Sequence, residues 1–306
     1  MPIDIQEAYN IITRCKYIFS EEDMGFKATD MVYSDNVYDA EKTLAMHWII
    51  IYHELPPKEL LHAPDLQDGE GKTLAMHWVE NIKAPIPACL QHDPTIQTKF
   101  TKNTCAMIWI RKHKTLPPQS WIHNPNIQNK LKWTCAMLWI KERCGSSLPK
   151  ELFHDPSIQD AFGETCAMLW IKHRNSLPPP ELLHAPTLQN RFGWTCAMVY
   201  ISYYKELPPK EFMHDPVIKN IHGDTCAMLY ISYCKELPPK ELLHDPLIKN
   251  NGGWTCAMLY IKYCKELPPK ELMHDPTIKN IHGDTCAKLW IENVNSSIPE
   301  ELLKYP

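Results

Sequence analysis

The stretch T-C-A-M-L-Y-I-K-Y-C-K-E-L-P-P-K-E-L-M-H-D-P-T-I-K-N-I-H-G-D, Thr255 to Asp284, decides the fold, because the chain repeats it. Threonine is a good N-cap, and Cys256 to Tyr263 contains neither glycine nor proline, so a first helix of about three turns is expected after Thr255. Pro268 and Pro269 end it, and proline's fixed φ also suits the first turn of a second helix. That helix must be short, because Pro276 disfavours helical geometry at Asp275. Thr277 to Asp284 then reads as a turn, with Gly283 free to take a positive φ.

Thr43, Thr73, Thr104, Thr134, Thr165, Thr195, Thr225, Thr255 and Thr285 open copies of this unit at spacings of 30 or 31 residues. The two extra residues fall near Phe100 to Asn103 and near Cys144 to Ser147, which marks both places as loops. The block I-K-N-I-H-G-D-T-C-A occurs at Ile218 to Ala227 and again at Ile278 to Ala287, as a duplicated pair of repeats would leave it. A period of this length overrules the two-domain prior suggested by 306 residues.

The turn leading into the helix reads (D/N)-x-x-G-x-T at Asp68 to Thr73, Asp160 to Thr165, Asn190 to Thr195, Asn220 to Thr225, Asn250 to Thr255 and Asn280 to Thr285. This resembles the ankyrin signature, a D-x-x-G-x-T turn followed by P-L-H-x-A, over residues 43 to 306. It departs from that pattern in being shorter than the usual ~33 residues, in Cys or Leu after the threonine, and in Met258 where the family has histidine. The resemblance implies an all-α, ankyrin-like α-solenoid of about nine helix-turn-helix repeats. Residues 1–42 are expected to form an N-terminal capping helix and half-repeat, 43–284 eight repeats, and 285–306 a C-terminal capping repeat.

A formal net charge of −4 supplies no basic field for nucleic acid. No stretch approaches the ~18 to 20 apolar residues of a membrane helix. The N-terminus is acidic where a signal peptide would be basic, which argues for an intracellular, cytoplasmic chain.

Three residue ladders run through the repeats. The aromatic five residues after each threonine, from Trp48 to Trp290, reads as a core spine. Cys105, Cys135, Cys166, Cys196, Cys226, Cys256 and Cys286 recur once per repeat, and packed helices stand about 8 to 10 Å apart. That spacing favours free, buried thiols over disulfides or a shared zinc. His62, His92, His123, His154, His184, His214, His244 and His274 read as caps on the last carbonyls of the second helix.

Catalysis needs a constellation that does not repeat, and no nucleophile, phosphate-loop, zinc or dinucleotide motif occurs. The expectation is a non-enzymatic scaffold without cofactor or metal that holds another protein, as a monomer or as part of an assembly. The alternative is a structural component of a larger assembly. In a solenoid, positions needed for stacking recur and positions that meet a partner vary. The residue before each threonine varies, as Trp133, Glu164, Trp194, Asp224, Trp254 and Asp284, and so does the end of the first helix, where Tyr203, Tyr233 and Tyr263 stand. These nine are the candidate partner-binding residues, tryptophan and tyrosine being common interface anchors.

Overall fold

The computed structural model describes residues 3–4, 31–33 and 42–304. Its chain divides into two compact units, Met1–Asp155 and Pro156–Pro306, which are taken separately. Unit 1 opens on three short strands, β1 (Ile3–Asp4), β2 (Met31–Tyr33) and β3 (Lys42–Thr43). Strand β2 pairs parallel with β1 and antiparallel with β3. Of the N-terminal capping helix and half-repeat expected over residues 1–42, all but residues 3–4, 31–33 and 42 falls outside the described residues.

The repeats that follow are helical. Unit 1 holds α1 (Leu44–Tyr52), α2 (Leu74–Asn81), α3 (Cys105–His113) and α4 (Cys135–Lys141), each stacked on the next. Unit 2 holds α5 (Cys166–His173), α6 (Cys196–Tyr204), α7 (Cys226–Cys234), α8 (Cys256–Cys264) and α9 (Cys286–Val294), stacked in the same order. All start at the predicted threonine, whose Oγ1 accepts the backbone N–H three residues on; the Met258 N to Thr255 Oγ1 distance is 3.3 Å. The chain leaves α8 through Lys265 in the left-handed region at φ 59°, its N–H bonded to the Ile261 carbonyl, and α6 and α7 end the same way at Lys205 and Lys235.

The second helix is a correction. It shrinks to a single 3₁₀ turn of three residues, Lys270–Leu272 in the repeat of α8, with Pro269 as its N-cap at ψ 162°. The physical cause lies at both ends. Met273 is already extended, and Asp275 closes its own turn, its carbonyl accepting from Ile278 N and its carboxylate from Thr277 N. Too few residues remain between the proline pair and that turn for an α-helical hydrogen bond.

The aromatic ladder is core, as expected: Trp48, Trp78, Trp139, Trp170, Tyr200, Tyr230, Tyr260 and Trp290 are buried and Trp109 is half-buried, and from α1 to α8 the alanine, the methionine and the isoleucine (valine in α2) of the first helix are buried with them. The inserted residue at Cys144 to Ser147 also lies in a loop. Helix α4 stops at Lys141, and Arg143 and Gly145 both take φ 55° on the way to the next proline.

Candidate partner-binding surface

Hydrogen bonds tie each repeat together and then to the next. The ladder histidine does not cap helix carbonyls, which corrects the sequence reading. Its Nδ1–H donates to the carbonyl of the following residue, 2.9 Å from His274 to Asp275 O. Its Nε2 faces the N-cap threonine, 2.7 Å from His274 to Thr255 and 2.8 Å from His92 to Thr73. A neutral imidazole therefore accepts the threonine hydroxyl proton, while the threonine oxygen accepts the helix N–H. The thiol of the next repeat lies beside the same nitrogen, 3.3 Å from Cys196 to His184 and 3.5 Å from Cys226 to His214. Burial lowers the pKa of His62, His92, His123, His184, His244 and His274 and raises those of Cys196, Cys226 and Cys256 to about 12. With its histidine lowered and its thiol raised, the Cys196–His184 contact joins two groups that are neutral at pH 7, a structural contact rather than a thiolate–imidazolium pair.

The turn tips form a second ladder. Arg191 N donates to Phe162 O, Ile221 N to Phe192 O, Asn251 N to His222 O and Ile281 N to Gly252 O, and Lys99 N does the same to Glu70 O in unit 1. Gln159 and Gln189 each give one amide hydrogen to their own turn and one to the carbonyl of the next repeat, at Gln189 O and Lys219 O. Lys219 and Lys249 reach the same carbonyl position with an ammonium.

Against this fixed frame the variable residues stand in pairs. The residue before the threonine meets the residue seven after it: Lys72 forms an ion pair with Glu80 at 2.9 Å, and Glu164 forms one with Lys172. In two of the three repeats where tryptophan holds the first position, lysine lies over its ring, Lys141 at 3.8 Å from the centre of Trp133 and Lys262 at 4.6 Å from that of Trp254. Asp284 is held by Lys288 at 2.5 Å. The sequence reading found both positions but not their pairing, since charge and aromaticity alternate down the column and only the helix start brings the two within reach.

The candidate residues differ in how open they are. Tyr203 and Tyr233 are exposed at 54% and 40%, whereas Trp194, Trp254, Tyr263, Glu164 and Asp224 are half-buried. Trp133 and Asp284 are buried. The turn tips add exposed apolar residues that sequence reasoning missed, among them Phe162, Phe192, Ile221 and Ile281. Their signal was the apolar residue recurring inside an otherwise polar turn. Among the described residues, no group of side chains could hold a metal ion and no helix is long and apolar enough to cross a membrane.

No protein-family model matches this chain, and no curated protein does. Among solved structures, it is similar to the ankyrin repeat domain of Bcl-3, described as a unique member of the IkappaB protein family. That likeness has 16% identity and a TM-score of 0.38, covering 56% of this chain and 86% of that one. It is also similar to EF0377, an ankyrin repeat protein, at 17% identity and a TM-score of 0.38, over 56% of this chain and 98% of that one.

Proposed function

We propose that the chain is a divergent ankyrin-type array that works as a non-enzymatic scaffold, holding a protein partner on the face built from its turn tips and the paired columns. One observation carries this reading. In the repeats opened by Thr43 to Thr255 the threonine, alanine, methionine and aromatic positions recur and, half-buried Trp109 apart, are buried, while the adjacent pair before and seven after the threonine changes chemistry at each step. Side chains constrained by stacking have no reason to vary; side chains that meet a partner do. Exposed Tyr203 and Tyr233 offer broad contact area at small entropic cost on that face. A protein rather than a nucleic-acid partner accords with the net charge of −4.

A second reading, a structural component of an assembly, is favoured by another row: Leu177, Leu207, Leu237 and Leu267, each just before a proline pair, are exposed. Peptide display against the full chain separates the two. Binders that are lost in a Tyr203→Ala/Tyr233→Ala variant and kept in a Leu207→Ser/Leu237→Ser/Leu267→Ser variant support the scaffold face. Binders lost only with the leucines put the contact on the other row and overturn it.

A further inference from the structure

The three tryptophans that precede a threonine are not in the same state. Trp133 and Trp254 each carry a lysine of their own repeat over the ring, at 3.8 and 4.6 Å from its centre. At the matching position of the Trp194 repeat stands Ser202, whose hydroxyl is turned back onto the Val199 carbonyl at 2.9 Å. Among the described residues, no cation lies over Trp194.

What lies beside that ring instead is a cavity of about 170 Å³. Taking about 30 Å³ as the share of each water in the liquid, this is room for roughly five or six waters. Phe192 from the turn tip and Tyr203 from α6 border it with Trp194, Ser202 and the buried Val199, and Phe192 and Tyr203 are exposed at 46% and 54%. At Trp254, by contrast, the residue two before the tryptophan is Gly252, packed against its indole. The Trp194 repeat therefore has three aromatic rings around one opening and lacks the lysine that fills this place in two other repeats. Lys172 also borders the cavity, but its ammonium is bound to Glu164.

We propose that this opening is a recognition pocket for one cationic side chain, a lysine or arginine of the partner, which takes over Trp194 the place that Lys141 and Lys262 take over Trp133 and Trp254. The chemistry is attraction of a cation to the negative faces of the rings, strengthened as the pocket sheds water. The chain's own repeats act as the template, because they show the same backbone with the ligand group already attached. The proposal rests on the scaffold reading for where the cation comes from, and on the repeat comparison alone for what binds.

The test uses the full chain and a probe that needs no partner. Butylammonium chloride, against sodium chloride at matched ionic strength, should move the indole resonances of Trp194 and leave those of Trp133 and Trp254 in place. Ser202→Lys, a residue already accommodated at positions 141 and 262, should shift Trp194 without the probe and abolish its response. Peptides selected on the chain should be enriched in lysine or arginine, and Ser202→Lys should weaken them by roughly two- to thirty-fold. A Trp194 signal that ignores butylammonium, or that still responds in Ser202→Lys, overturns the pocket. Either result leaves the scaffold reading to stand or fall on the tyrosine and leucine variants.

Discussion

Glycine and lysine occupy the same left-handed backbone at equivalent turns, and they do so at different expense. In unit 2 the turns at Gly163, Gly193, Gly223 and Gly253 have φ between 71° and 78°. In unit 1, Lys102 and Lys132 hold φ 56° and 57°. A Cβ on Gly193 would come within 2.9 Å of Asn220 Cα, and one on Gly223 within 2.6 Å of Asn251 N, since the next repeat's turn is hydrogen-bonded directly alongside. The turn at Lys102 carries the inserted residue, so Thr98 N closes onto Asn103 O, one residue further than Asp68 N onto Lys72 O. Strain and crowding are thus separate costs. The lysine turns bear the first, roughly 1 to 2 kcal/mol each, while the glycine turns could accept neither.

Acid should act on both units at once and so gives the largest effect. His62, His92 and His123 in unit 1, and His184, His244 and His274 in unit 2, are all depressed below 6.5, chiefly by burial. The unfolded chain then binds more protons than the folded one as pH falls below 6.5, so stability is complete above that value and declines toward the lowered pKa values. Thermal melts should show the midpoint dropping between pH 7 and 5. A flat profile would mean that the threonine–histidine contacts survive protonation.

Gly193→Ala should destabilise unit 2 by roughly 2 kcal/mol or more, combining strain with the close approach to Asn220, as read from denaturant midpoints. Lys132→Gly should do the reverse in unit 1, by about 1 kcal/mol. Hydrogen exchange on the unmodified chain should find residues 80–135 opening before residues 195–285. The reverse order would show that turn strain does not set local stability. Smallest of all, Lys262→Ala should cost about 0.5 to 1 kcal/mol through loss of its contact with Trp254.

The repeat boundaries and the buried face could be read from the chain because they depend on local rules: the threonine cap, the proline stop and a recurring aromatic. The histidine role could not. His274 sits where a helix would end if the second helix were longer, and its true partner, Thr255, is 19 residues away. The second helix itself was overestimated because Pro269 serves as a cap and not as a first helical residue, a matter of ψ that composition does not record. For the candidate site, the columns were visible but their occupancy was not. Trp133, Trp194 and Trp254 look alike as letters, and only the residue found over each ring distinguishes a filled site from an open one.

The bonds that join turn to turn also bear on how such a chain can lengthen. Gln159 reaches Gln189 O, Gln189 reaches Lys219 O and Lys219 reaches Lys249 O, so each repeat offers its predecessor the same acceptor that it takes from its successor. A gene segment encoding one whole period can then be copied or excised, and the ends left behind still match. The identity of Ile218 to Ala227 and Ile278 to Ala287, two periods apart, is the trace that copying a pair of repeats leaves. Recombination needs no new junction to be invented, so the array can change its length without rebuilding the contacts between its turns.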